Sequence, residues 1–196
     1  MPIHRFVKGE FQQKILQPRV LIPIFVAILV LFLFVIPQWK SIRNIFFITL
    51  FFILGCASYF YRRFFNIRIG IEFVSVGTFL CTLAYGPGVG LFVGNASAFI
   101  SEFIGSRIDE RIIVNLFSTN VVVLVAMLPF MQSLAYSNLM LAALIVFTAY
   151  HGIGVGGNML MGGNPGKTIV FVATSLFWYL AFFLRIGPLI YAAMVS

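Results

Sequence analysis

The sequence predicts an all-α fold, a polytopic membrane helix bundle of six to seven transmembrane helices. Of its 196 residues 61% are hydrophobic and only 9% are charged, and the mean hydropathy is +1.06. Its apolar residues come in runs of about 16–18, close to the ~20 that a helix needs to cross a bilayer. A soluble domain of this size needs more charged side chains to cover its surface. We therefore expect a multi-pass protein of the cell membrane.

The N-terminal segment, residues 1–19, is basic and differs from the rest of the chain. Apolar residues recur at every fourth position from Ile3 to Ile15, which favours an amphipathic helix lying on the membrane surface. A partly disordered tail fits the same residues. Because this segment is largely polar and no small-residue cleavage site follows the first apolar run, that run is expected to remain in the mature protein. Residues 20–196 are predicted to form the transmembrane bundle.

Seven apolar segments follow one another in the bundle region. Trp39 and Lys40 follow the first of them, as is typical of a membrane interface. In the fifth, Asn115 and Thr119 share a helical face and are expected to bind a neighbouring helix or to line a ligand cavity. The count falls to six if the shorter segments do not cross fully. The predicted spans are 20–37, 44–61, 70–84, 88–105, 112–131, 138–152 and 168–185.

The net charge of +8 indicates a membrane surface rather than nucleic acid. The basic residues stand singly or in small groups between apolar runs, and they do not line one helical face. Lys and Arg gather in cytoplasmic loops near anionic lipid headgroups. If all seven segments cross, most of the Lys and Arg residues share a side with the N-terminus, which is therefore expected in the cytoplasm.

Residues that commonly build catalytic or metal sites are few. Cys56 and Cys81 fall inside apolar runs without a CxxC or Cys/His spacing, so neither a disulfide framework nor a metal site is indicated. Five acids and two histidines show no Ser/His/Asp arrangement. The sequence thus favours a protein that is not an enzyme and that has no cofactor.

A glycine-rich stretch at 152–166 contains two weak motif matches. Residues 162–168 resemble a phosphate-binding P-loop, but the motif needs a glycine where Met161 stands. Gly152, Gly154 and Gly157 match GxGxxG without the βαβ unit that this motif requires. The stretch is instead predicted to be a loop between helices, either flexible or folded back to present its backbone to a solute.

A Gly-Pro corner at residues 86–90 is the most distinctive feature of the chain. The helix after it carries Gly86, Gly90, Gly94 and Ala98 at four-residue spacing, a stripe that lets another helix approach closely. Glu102 continues the same face. An acid in an apolar helix is a candidate for function, although the charged turn after Glu102 is also typical of a headgroup-level interface.

This corner resembles a known family of membrane proteins. An entry segment at residues 69–73, Ile-Gly-Ile-Glu-Phe, precedes a helix, the Gly-Pro-x-x-Gly corner and a small-residue helix. The arrangement is similar to the second and third helices of the S components, the substrate-binding subunits of energy-coupling-factor (ECF) vitamin and metal transporters, over about 35 residues. The resemblance implies a bundle that takes up a small, vitamin-like solute together with a membrane coupling subunit and two ATPases.

The same resemblance implies residue roles. The implied packing residues are Gly86, Gly90 and Gly94. Aromatic rings with a few polar groups suit a flat heterocyclic solute. The implied substrate-binding residues are Arg68, Glu72, Asn95, Trp178 and Tyr179.

Three other functions fit the sequence. The chain could be a non-catalytic membrane scaffold or accessory subunit whose glycine stripe binds a partner helix, and its 24 phenylalanines suit lipid or partner contact. It could also be a small channel or exporter that uses residues 152–166, or a membrane-embedded enzyme. An enclosed cavity shared by the candidate binding residues favours solute binding, whereas a bare glycine stripe favours a partner.

Overall fold

The computed structural model describes residues 39–60, 70–104 and 111–196. The chain divides into two compact units, Met1–Arg43 and Asn44–Ser196. In the first unit, the described residues are the first five of a helix that continues into the second. The predictions for residues 1–19 and for the span 20–37 lie outside the described residues, as does Arg68.

The described residues form helices and no strand, which confirms the predicted all-α class. The helices are α1 (Trp39–Ala57), α2 (Val74–Tyr85), α3 (Pro87–Ile104), α4 (Arg111–Ala126), α5 (Pro129–Ser137), α6 (Leu139–Leu160) and α7 (Pro165–Val195). By length and composition α1, α3, α6 and α7 can each cross a membrane. The pair α4 and α5, bent by 79°, is a fifth candidate, so the described part of the chain has four or five possible spans.

Helix α2 has only 12 residues and lies at the centre of the bundle. Every residue from Val74 to Thr82 is buried, since α3, α4, α6 and α7 all pack against this helix. Aromatic rings fill the space between α2, α6 and α7. Phe79 contacts Phe147 at 5.6 Å between ring centroids, and Phe147 stacks on Tyr179 at 3.9 Å. None of the residues of α2 is exposed, as expected of a helix at the centre of a bundle.

The predicted Gly-Pro corner is present. Gly86 ends α2 with a φ of +92°, a conformation that favours glycine, and its N–H donates to the Thr82 carbonyl at 3.0 Å. Pro87 then begins α3, where its fixed φ and missing N–H are tolerated. Gly86 itself faces open space, so its contribution is the turn rather than a close helix contact.

The rest of the small-residue stripe packs inside the bundle. A Cβ atom at Gly90 would overlap the Thr82 hydroxyl, and one at Gly94 would overlap the Thr78 hydroxyl, so both positions let α3 approach α2 closely. Ala98 further along α3 is buried as well. This face of α3 is therefore occupied by the protein's own helices.

The prediction of a long glycine-rich loop at 152–166 is wrong. Helix α6 continues through these glycines to Leu160, and only the residues between Leu160 and Pro165 connect it to α7. Glycine disfavours a helix by about 1 kcal/mol in water, but in a bilayer an unpaired backbone costs more. Gly157 also permits close packing, since a Cβ there would lie 2.7 Å from a Val114 methyl group of α4.

Two further boundaries differ from the predictions. The fifth predicted span breaks near Leu128, where Pro129 begins α5. The last helix was expected at 168–185 but runs from Pro165 to Val195. The side chain of Asn164 accepts from the Lys167 N–H at 3.2 Å and so caps the start of α7. Pro188 lies inside α7, as proline does more often in membrane helices than in soluble ones.

Candidate functional site

The main polar feature inside the bundle is the carboxylate of Glu72, in the turn before α2. Glu72 is 0% exposed. The hydroxyl of Tyr59 donates to its Oε2 at 2.6 Å, and the hydroxyl of Tyr179 donates to its Oε1 at 2.7 Å. Ser75 lies 3.2 Å from Oε1 and 2.8 Å from the Tyr179 oxygen. Residues from three separate parts of the chain thus hold one buried acid. We use the name Glu72 cluster for the group formed by Tyr59, Glu72, Ser75, Tyr150, His151 and Tyr179.

Local sequence explains the position of Glu72. It lies two residues before α2, and the free N–H groups and the dipole at a helix start favour a negative charge. Ser58 fixes this turn from the end of α1. Its Oγ accepts from the Phe73 N–H at 2.8 Å and donates to the Leu54 carbonyl at 3.0 Å. The backbone at the start of α2 is therefore hydrogen-bonded to the end of α1 through Ser58.

Helix α7 holds the other side of this turn. The indole N–H of Trp178 donates to the backbone carbonyl of Glu72 at 3.3 Å. The N–H of Gly70 donates to the Thr174 hydroxyl at 2.9 Å. A Cβ at Gly70 would overlap Ser175, so glycine is needed for this approach. Gly70 and Glu72 are thus both hydrogen-bonded to side chains of α7.

A groove of about 390 Å³ lies beside this segment on the outside of α7. It is open and mostly apolar. Trp178 connects the groove with Glu72. Its ring lines the groove, and its N–H donates to the backbone carbonyl of Glu72. The groove is lined by Ile71, Ala173, Thr174, Phe177, Trp178 and Ala181.

Tyr150 and His151 of α6 complete the Glu72 cluster. Both side chains are 5% exposed. The His151 ring lies 5.6 Å from the ring of Tyr179 and 5.1 Å from that of Tyr150. Its Nε2 is buried without a hydrogen-bond partner in the described residues. The only signal in the sequence was a Tyr-His pair at the end of an apolar run.

No lysine or arginine is bonded to Glu72 within ranges 39–60, 70–104 and 111–196. Its carboxylate accepts hydrogen bonds from the hydroxyls of Tyr59, Ser75 and Tyr179. Taking a carboxylate out of water costs several kcal/mol unless it is paired with a cation or gains a proton. Hydroxyl donors offset part of that cost. The carboxylate of Glu72 therefore remains an attractive position for a proton or a positively charged group.

Asn95 lies in a different polar cluster, between α3 and α4. Its side-chain amide donates to Asn120 Oδ1 at 2.8 Å. Further along the same helices the Asn115 amide donates to Glu102 Oε1. The expectation that Asn115 binds a neighbouring helix is confirmed. Glu102 is buried, with an exposed fraction of 5%, and it is held by this second cluster rather than by the Glu72 cluster.

The structure thus brings together three of the five candidate binding residues, Glu72, Trp178 and Tyr179. Arg68 lies outside the described residues, and Asn95 makes its hydrogen bond elsewhere in the bundle. No family model, curated protein or solved structure matches this chain. The apolar helices are those of an integral membrane protein with a buried acidic site.

Proposed function

We propose that this protein binds a small solute within the membrane, as the substrate-binding subunit of a transport system, and that the Glu72 cluster recognises the solute. The observation that carries the proposal is the burial of Glu72 among apolar helices, where hydroxyls of Tyr59 and Tyr179 hold its carboxylate. Ionisable residues at membrane depth are costly, and they commonly mark substrate or ion pathways.

Trp178 supplies the connection between the cluster and the surface. Its ring forms a wall of the 390 Å³ groove while its N–H holds the Glu72 backbone, so a solute in the groove touches the residue that positions the acid. Aromatic walls with few polar groups are typical of small-molecule sites.

The scaffold function receives less support. It required the stripe of Gly90 and Gly94 to lie bare for a partner helix, but Thr82 and Thr78 of α2 occupy that face. The channel or exporter function relied on a glycine-rich loop, and residues 152–160 are helical instead.

We further propose that the transport system is of the ECF type. Uptake of a vitamin-like solute with a membrane coupling subunit and ATPases rests on the resemblance around the Gly-Pro corner. Affinity purification from native membranes tests it directly, since co-purifying ATPases support the ECF type of transporter. A solute without ATPases supports solute binding alone.

The test of solute binding compares wild-type protein with Glu72→Gln and Glu102→Gln. Each variant is purified from native membranes, and small molecules released by denaturation are identified by mass spectrometry. Glu102→Gln is the matched control because it makes the same change at a buried acid outside the cluster. We expect one compound in wild type and in the control, reduced at least tenfold in Glu72→Gln. Equal amounts in all three proteins, or no compound in wild type, contradict the proposal.

A further inference from the structure

The Glu72 cluster is closed, and that limits what can reach the carboxylate without a rearrangement. Glu72 and Tyr179 are 0% and 1% exposed, and His151 is 5% exposed. A solute of several atoms needs space that the side chains now fill. A proton needs none, since it enters a hydrogen-bonded cluster without displacing any heavy atom.

The cluster contains two groups that can take up that proton. The Glu72 carboxylate is one. The other is the buried Nε2 of His151, which has no hydrogen-bond partner in the described residues and belongs to a ring packed on Tyr179. A neutral imidazole nitrogen with a free lone pair accepts a proton and becomes a cation. His151 and Glu72 lie on either side of Tyr179, whose ring packs on the imidazole and whose hydroxyl binds the carboxylate, so a positive charge on one favours a negative charge on the other.

The described side chains that bind Glu72 or pack on His151 are uncharged. The phenols of Tyr59, beyond α1, and Tyr179 of α7 donate to Glu72, and the rings of Tyr150 and Tyr179 contact the ring of His151. The side chain that α2 contributes to the cluster is Ser75, whose neutral hydroxyl donates to Glu72. Of α3 and α4, no titratable side chain among the described residues acts on His151. A proton on this pair therefore changes the net charge of a cluster whose other described side chains are neutral.

We propose that Glu72 and His151 form a proton-binding pair whose protonation is coupled to occupancy of the solute site. The inference rests on the proposed solute-binding function of the same cluster. One proton from water binds Nε2 of His151 and leaves a carboxylate beside an imidazolium, and a second proton at lower pH converts the carboxylate to a neutral carboxyl. Protonation weakens the Tyr59 and Tyr179 bonds to the carboxylate. Through the Trp178 bond to the Glu72 backbone it alters the wall of the groove.

Proton binding is measured without any solute. The chain has two histidines, so His4→Gln leaves His151 as the only imidazole without changing the cluster. Its ring signals are followed by NMR across a pH series in lipid nanodiscs, and the protonated carboxyl band of Glu72 is followed by infrared spectroscopy. Glu72→Gln identifies that band, and Glu102→Gln is the control that retains it.

The two titrations are expected to be reciprocal. Without the imidazolium the carboxylate loses its stabilising charge, so His151→Gln raises the midpoint pH of the carboxyl band by about one unit or more. Without the carboxylate the imidazolium is less favoured, so Glu72→Gln lowers the midpoint of the His151 signals by a similar amount. His4→Gln leaves the carboxyl midpoint unchanged. Independent titrations, or ring signals of His151 that do not move between about pH 4 and 9, overturn the proposal.

Coupling to the solute is a separate measurement. The amount of compound retained by wild-type protein is compared at pH values on either side of the carboxyl midpoint. At least a fivefold difference is expected, and pH-independent retention overturns the coupling. If no compound is retained but the reciprocal titrations are found, the solute-binding proposal fails while the proton pair stands. If His151→Gln or Glu72→Gln does not fold, the His4→Gln titration still decides the proposal, because His151 ring signals that do not move overturn it.

Discussion

The hydroxyl of Tyr179 donates to Glu72 Oε1 at 2.7 Å, joining residues 107 positions apart. The bond links the turn before α2 to the middle of α7, and the ring of Tyr179 is stacked on Phe147 of α6. One side chain therefore connects three elements, with an apolar face toward the core and a polar end toward the acid.

Removing only this hydroxyl tests the bond. Tyr179→Phe keeps the stack on Phe147 but leaves Glu72 with one donor fewer, so we expect a loss of about 1–3 kcal/mol in the free energy of unfolding. Thermal or detergent-induced unfolding of the purified protein measures it. Tyr136→Phe makes the same change on a side chain that is 87% exposed. An equal effect in both variants contradicts a structural role for the bond.

The glycine stripe is tested by two alanine substitutions in one helix. A Cβ at Gly90 overlaps the Thr82 hydroxyl, whereas one at Gly88 meets nothing within 4 Å. We expect Gly90→Ala to destabilise the bundle by about 1–3 kcal/mol more than Gly88→Ala, since the two share any change in helix propensity. Gly90→Leu is expected to prevent folding. The readout is the midpoint of thermal unfolding, and similar midpoints for the alanine pair would place the stripe against lipid.

The hydrogen bond between Asn95 and Asn120 is tested by a double-mutant cycle. Single and combined alanine substitutions are expected to give a coupling energy of about 0.6 kcal/mol, typical of hydrogen bonds between membrane helices. Detergent unfolding supplies the four free energies. A cycle of Asn95 with Gln132, whose side chain is exposed on α5, is the control and should give none. Additive effects of Asn95 and Asn120 are incompatible with the bond.

The central position of α2 is tested with the two cysteines. Cys81 on α2 is 0% exposed, whereas Cys56 near the end of α1 is half-buried. In folded protein, a small maleimide should label Cys56 in the Cys81→Ser variant faster, by roughly tenfold or more, than Cys81 in the Cys56→Ser variant. Labelling after denaturation is the control and should be equal. Fast labelling of Cys81 in folded protein would contradict the buried position of α2.

The corner at Gly86 and Pro87 could be predicted because its signal is local. A glycine with positive φ and a proline at the first helical position act on their own backbone, whatever surrounds them. The glycines from 152 to 160 misled prediction for the opposite reason. Their local preference is against a helix, but the surrounding helices and the need to pair every backbone group decide otherwise.

By itself the sequence determined the class of the protein. Apolar runs of transmembrane length, few charges and the Gly-Pro corner fix an all-α membrane bundle, because these properties depend on composition and on neighbouring residues. Only the tertiary structure decided which polar residues meet. It joined Tyr59 and Tyr179 to Glu72, packed His151 against Tyr179 and assigned Asn95 to another cluster. Those contacts depend on how α1, α6 and α7 pack around α2, and helix packing is set by side-chain shapes across the bundle rather than by spacing along the chain.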